Sequence, residues 1–353
     1  MKFNFLARIF VIISCLSNTS FGQLYKNYKD AINMEFKDSV TFIRLDSNDC
    51  NLNIDLSLFP NLDGFSLDDW KSGYHFLKGA DSITQLKIYN CSNLNEFDLT
   101  NYDNLVDLGI YYSQGLRIID LSSFKNLKEF GIGDLEGLAE LDFTNAQNLE
   151  ILRMRGIKNL NIENLSNLVN LKELSFTFSE GVSDLNFSIF SRLEELEISN
   201  NQLKEFPLSI TQLKNLKVLD IGEYLRDAYP MCLDETYHQT QNKIAALPES
   251  IGDLTDLEDL DISFNPILTL PQSLKKLTKL TFIDISKTDI QEIPDFIISG
   301  RTKEISLRYF TGNANNFSRK TKMYLLKQDF RASSTVKCKE KGRFKRVSKS
   351  LGI

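Results

Sequence analysis

Histidine is almost missing from this 353-residue chain: only His75 and His238 occur, far apart in sequence. That removes most acid–base pairs and the imidazole half of most zinc sites. The five cysteines form no C-x-x-C pair, so the sequence offers no thiolate clip for a metal either. There is no G-x-S-x-G, no glycine-rich phosphate loop and no H-E-x-x-H, hence no recognisable nucleophile, phosphate cradle or metalloprotease motif. The chain reads as a non-enzyme with no cofactor and no metal site. Long apolar runs are missing too: residues 9–16 are too short to span a bilayer, and no later segment is long and apolar enough. A basic body is also absent. Residues 1–310 carry 29 Lys+Arg against 45 Asp+Glu, which disfavours nucleic acid as a partner.

What the chain does have is a period. Leu193, Leu196 and Ile198 form an L-x-x-L-x-L frame, and Leu216, Leu219 and Ile221 repeat it 23 residues later. Residues two apart in a strand share a side, so Leu196/Ile198 form an inward pair. Equivalent pairs are Ile43/Leu45, Phe65/Leu67, Leu86/Ile88, Leu108/Ile110, Phe130/Ile132, Leu152/Met154, Leu174/Phe176, Leu219/Ile221, Leu260/Ile262, Ile283/Ile285 and Ile305/Leu307. The steps are 21 to 23 residues, with one exception of 41. One turn cannot bury its own apolar face, so each needs copies above and below. Twelve stacked turns of one solenoid follow, rather than the two or three domains that length alone suggests.

Each turn bends three residues after its second inward residue. Asn48, Cys91, Ser113, Ser179, Asn201, Asn265 and Thr288 stand there, side chains suited to orphan backbone groups. Leu135 and Ile157 depart from that pattern. L-x-x-L-x-L-x-x-N-x-L followed by F-P-x-x-I, at residues 193–210, resembles the leucine-rich repeat family. Residues 257–271, LEDLDISFNPILTLP, are closer still. The second half is similar to the 23-residue repeats of Ras-suppressor-type proteins. The resemblance implies an α/β leucine-rich repeat solenoid, a right-handed curved horseshoe with about twelve parallel strands on a concave face used for recognition.

In chain order, residues 1–22 read as a signal peptide: Lys2 and Arg8, an apolar run, then Ser20-Phe21-Gly22 as a small-x-small cleavage site. Ile12-Ile13-Ser14-Cys15 also fits a lipoprotein box, which would lipidate Cys15 and bring the chain to a membrane. Residues 23–40, with Leu24, Tyr28, Ala31 and Ile32 at helical spacing, are expected to cap the solenoid of residues 41–310. Return legs of the first half, at residues 54–62, 97–105, 119–127, 141–149 and 185–193, alternate apolar-Asp-apolar-Ser/Thr or a variant of it, which predicts short second strands. From Pro207 onward the return legs predict helical turns. The long step holds an insertion near 224–243, carrying Tyr224, Tyr229, Cys232, Tyr237 and His238, either functional or a tolerated loop. Residues 311–353 form a C-terminal cap helix, with Met323, Leu326 and Phe330 on one face, and a basic tail. Twelve Lys+Arg stand there against Asp329 and Glu340. Cys50 and Cys91 lie two turns apart, beyond the ~7 Å reach of a disulfide, so Cys91 reads as a buried bend residue. The pairing of Cys232 with Cys338 stays open.

Residues beside the inward pairs point out of the sheet. Tyr89 and Tyr111 fall on adjacent turns, with Arg153 and Arg155 two turns on, and from Glu195 the face turns acidic through Glu197 and Asp220. Aromatics and arginine are enriched where partners anchor. Asp220, Asp261 and Asp284 stack one per turn rather than pairing. Tyr89, Tyr111, Arg153, Arg155, Glu195, Glu197 and Asp220 are the candidate site of a monomeric, secreted or envelope protein that binds a protein or peptide ligand. The alternative is an intracellular Ras-suppressor-like scaffold. A repeat-effector ligase is excluded, because the residues after the last strand are too few for a catalytic domain.

Overall fold

The computed structural model describes residues 25–50, 52–71, 77–79, 81–158, 163–223, 240–290, 292–294, 296–297 and 304–306. The leader, Cys15, Leu24, Leu307, insertion residues 224–239, the C-terminal cap helix and the basic tail with Cys338 lie outside them. The chain forms two compact units, residues 1–172 and 173–353.

The first unit contains β1 (Tyr25–Asn27), β2 (Phe42–Asp46), β3 (Ile54–Asp55), β4 (Gly64–Asp68), β5 (Leu77–Lys78) and β6 (Gln85–Tyr89). It continues with β7 (Asp107–Tyr111), β8 (Ile118–Asp120), β9 (Glu129–Gly133), β10 (Glu140–Asp142) and β11 (Ile151–Arg155). Its main sheet runs β1-β2-β4-β6-β7-β9-β11. The strands are parallel with the repeat held in register: Leu86 faces Leu108, Leu108 faces Phe130, and Phe130 faces Leu152. The inward pairs Ile43/Leu45 through Leu152/Met154 are almost fully buried. Each buried Leu or Ile contributes ~1.5–3 kcal/mol relative to exposure, so the period itself carries the stability.

The second unit contains β12 (Glu173–Thr177), β13 (Glu195–Glu197), β14 (Val218–Asp220), β15 (Asp259–Asp261), β16 (Phe282–Asp284) and β17 (Glu304–Ser306). They are parallel in that order. Leu196 faces Leu219, and Leu219 faces Leu260, across the 41-residue step. The insertion therefore leaves the ladder undisturbed.

Two expectations are corrected. The N-terminal cap begins with a strand, β1, paired to β2. Only then comes helix α1 (Tyr28–Ile32), which buries Tyr28 and Ala31 but leaves Ile32 exposed. Of the five return legs expected to form second strands, three contain one, β3, β8 and β10, whereas residues 97–105 and 185–193 form 3-10 turns instead. Among the described residues β3 pairs with β5, and β8 with β10. The Asp-x-Ser/Thr signature also makes a cap: Asp98 Oδ1 accepts from Thr100 N at 3.0 Å and from Thr100 Oγ1 at 2.6 Å, opening a 3-10 turn at Leu99–Asn101. Asp55, Asp142 and Asn186 accept from Ser57, Thr144 and Ser188 in the same way. Ser and Thr recur two residues on because the cap needs that donor, both at the ends of β3 and β10 and where no strand forms. The later legs form helical turns as expected, of the 3-10 kind, Leu208–Gln212, Glu249–Asp253 and Gln272–Lys276, each following a proline whose carbonyl accepts the first turn bond.

The bend residues behave as expected with one shift. Asn48 is exposed; its neighbour Asp49 is buried and accepts from Asp46 N at 3.1 Å. In the second unit an amide ladder runs through the bends. Asn201 Nδ2 donates to Phe176 O at 2.8 Å, and Asn265 Nδ2 to Ile221 O at 2.9 Å. Between them stands Asn242, which the sequence reading placed inside the insertion. Its Oδ1 accepts from Asn201 N at 3.0 Å and Leu203 N at 3.1 Å, and its Nδ2 donates to Ile198 O at 2.8 Å and Ile221 O at 3.1 Å. Asn242 and Lys243 therefore belong to the repeat. Cys50 and Cys91 are both free thiols, and Cys91 is buried, pointing at Leu67 O and Tyr89 O. Among the described residues no helix is long and apolar enough to cross a membrane.

Candidate functional site

Two outward rows cross the main sheet of the first unit. In one, Ser66, Lys87, Gly109, Gly131 and Arg153 are register partners. In the other stand Asp68, Tyr89, Tyr111, Gly133 and Arg155. Parallel pairing with even spacing brings like positions side by side. Tyr89 and Tyr111 accordingly stack, with centroids 5.6 Å apart and ring planes 12° from parallel. The next strand carries no side chain in either row. A Cβ built on Gly131 would lie 1.9 Å from the Tyr111 hydroxyl, and one on Gly133 would lie 3.1 Å from Tyr111 Cδ1. The two glycines thus make room for Tyr111 to lie across β9.

Charges border the rings in pairs. Lys87 Nζ meets Asp107 Oδ1 at 2.5 Å, Arg155 Nε meets Asp134 Oδ2 at 2.8 Å, and Arg153 lies 3.7 Å from Glu129. The cations are about one-quarter exposed, between 23 and 28%. Asp68, beside Tyr89, is ion-paired with Arg44. Burial pushes its carboxyl above the usual range, with the Arg44 charge opposing.

In the second unit Glu195 is exposed and Glu197 half-buried, its Oε2 accepting from Ser175 Oγ at 2.8 Å. Asp220, Asp261 and Asp284 do form a register column, yet each is a cap. Their Oδ1 atoms accept from Gly222 N, Ser263 N and Ser286 N at 2.8–2.9 Å. Asp261 and Asp284 are buried. Asp220 Oδ1 also accepts from Ser199 Oγ at 3.1 Å. The acidic face that a visitor meets is therefore narrower than the sequence implies, with Glu195 at its front. Ser66, Ser175 and Thr177, expected to face out, are buried as well. Among the described residues no cluster of three His, Cys, Asp or Glu could hold a metal ion.

No family model and no curated protein matches the sequence. Solved structures do. A crystal structure of an internalin from Listeria monocytogenes is similar with TM-score 0.53 at 15% identity, covering 92% of this chain and 92% of the internalin. The fold is the leucine-rich repeat. A leucine-rich repeat protein of Leptospira interrogans is also similar, at 19% identity and TM-score 0.48, over 84% of this chain and 85% of that one. So is the leucine-rich repeat ectodomain of a membrane receptor kinase from Arabidopsis thaliana, solved in complex with Casparian strip integrity factor 2. It matches at 15% identity and TM-score 0.48, over 77% of this chain and 35% of its own.

One residue of the repeat face was missed in sequence. Tyr112 is 50% exposed and follows Tyr111 with φ 53, the left-handed region. A bulky side chain costs energy there. Asp69, Asn90 and Asp134 take the same conformation at the ends of β4, β6 and β9. Strict spacing from the inward pair marks this column, and an aromatic in it is the signal that could have found Tyr112.

Proposed function

We propose that this chain is an exported, non-enzymatic binding module that captures a protein or peptide ligand on the open face of its parallel sheet. The observation that carries the reading is the stacked Tyr89–Tyr111 pair, with Tyr111 lying over the glycines of β9 and Arg153 and Arg155 on the next strand. Rigid aromatics and arginines on a regular scaffold supply contact area with little ordering cost. Glu195, Glu197 and Asp220 are the candidate contacts of the second unit. The leader-like pattern of residues 1–22 supports secretion or residence in the cell envelope, with membrane attachment if Cys15 is lipidated. The module acts as a monomer, without cofactor and without nucleic acid.

Replacing Tyr89, Tyr111, Arg153 and Arg155 together is expected to abolish partner capture from the native host. Undiminished capture would move the site elsewhere. Mass spectrometry of the native N-terminus tests export: loss of residues 1–22, or lipid on Cys15, supports it. An intact leader would instead favour the Ras-suppressor-like intracellular scaffold.

A further inference from the structure

We infer that the tyrosine pair of the first unit docks an uncharged peptide segment in the polyproline II conformation. This deepens the binding reading above and rests on it. Three observations narrow the ligand.

The first is charge. Lys87, Arg153 and Arg155 each face a carboxylate, from Asp107, Glu129 and Asp134. Each of these three cations is thus already matched by a carboxylate. An acidic or basic ligand would have to displace an ion partner already in place, whereas a neutral one leaves every pair intact.

The second is the backbone. Strands β6, β7 and β9 are interior to the sheet of their unit, with neighbours on both sides. No edge is free there, so a peptide cannot add as a further strand. The segment must be one whose backbone needs no ladder partner. Polyproline II has none: its backbone groups are solvated and it makes no internal hydrogen bonds.

The third is the rings. They are parallel and 5.6 Å apart, close to the ~6 Å rise of two polyproline II residues. Proline rings pack on aromatic faces, and tyrosine hydroxyls donate to the carbonyls that such a segment exposes. A ligand already ordered loses little entropy, so a shallow site is enough. Exposed Tyr112 extends the aromatic surface at the end of the same strand.

Fluorescence anisotropy tests this with the full chain and a labelled, uncharged proline-rich peptide of about twelve residues, long enough to cross both rings. Acidic and basic peptides of equal length and a neutral oligosaccharide are the comparisons. Saturable binding of the uncharged peptide alone is expected, with Kd changing less than ~2-fold between about 50 and about 500 mM salt. Gly131→Ala should weaken it at least ~10-fold, about one 1.4 kcal/mol step, with unchanged circular dichroism. The new Cβ meets only the far end of Tyr111, which can swing away. Tyr111→Phe keeps the ring and should stay within ~3-fold, the scale of one exposed hydroxyl's hydrogen bond. Preference for a charged peptide, binding of the oligosaccharide alone, or a Gly131→Ala variant that binds equally well would overturn the proposal. If no proline-rich peptide binds while the fourfold variant loses its partner, the polyproline assignment falls and the binding surface stands. If capture also survives that variant, both fall.

Discussion

Replacing Asn242 with alanine should cost more stability than any substitution on the exposed return legs. The side chain is 2% exposed and serves four backbone groups. Ile221 O keeps a second donor in Asn265 Nδ2. Removing the amide thus strands two N–H groups, on Asn201 and Leu203, and the Ile198 carbonyl. Each buried group left without a partner costs ~1–3 kcal/mol. Because water can enter the space vacated, a total of about 3–5 kcal/mol is expected rather than the full sum. Asn215→Ala is the control. Asn215 makes a single exposed bond, to Ser191 O at 2.9 Å, and its loss should cost less than ~1 kcal/mol. Urea unfolding followed by circular dichroism measures both, with the slope checked for constancy. A loss below ~1 kcal/mol for Asn242→Ala would refute the claim that this amide joins the turns flanking the insertion.

Other expectations follow from single residues. Tyr112→Gly relieves a left-handed strain of ~1–2 kcal/mol and adds ~0.5–1 kcal/mol of unfolded-state freedom, so stability should hold or rise by up to ~1.5 kcal/mol while ligand capture weakens; a clear loss of stability in thermal unfolding contradicts this. Burial pushes the Cys91 thiol up to about 12, so iodoacetamide at pH ~8 should leave residue 91 unmodified until the chain is unfolded; mass spectrometry showing native labelling would oppose it. Hydrogen bonds from Thr100 and Thr144 hold Asp98 and Asp142 below the usual carboxylate range. A carboxyl whose folded pKa is depressed stabilises above its unfolded pKa of ~4 and loses that contribution as pH falls through the folded value. The double variant Asp98→Asn/Asp142→Asn should therefore show a shallower fall in unfolding midpoint below pH ~4 than the native chain. Asp98 is exposed and Asp142 half-buried, so the difference is small and an equal fall would reject the cap assignment.

The main sheet was legible because its period is a property of burial. All twelve inward-pair strands are where Leu, Ile and Phe recur, since a slip of one residue would turn the apolar set outward. What failed was local chemistry that imitates a period. In the leg of residues 97–105 Asp-x-Ser/Thr alternates like the strands of other legs but encodes only a hydrogen-bonded cap, as Asp98 and Thr100 show. Asp261 and Asp284 look like ligand carboxylates in sequence and are buried caps in the fold. Asn242 was hidden because the repeat resumes after the insertion, where counting forward from Ile221 finds Tyr224 instead. Of the candidate site, the Tyr89–Tyr111 contact followed from register alone. The Asp107, Glu129 and Asp134 partners of its cations did not, because a side chain's reach depends on rotamers that spacing cannot supply.

The most direct trial of the binding surface is site-specific photo-crosslinking on the producing cells. A benzophenone amino acid at position 112, beside the tyrosine pair, should yield a discrete partner adduct. The same group at exposed Thr100, on the 3-10 turn of the return leg, should yield none. Adducts from position 100 alone, or equally from both positions, would contradict the account.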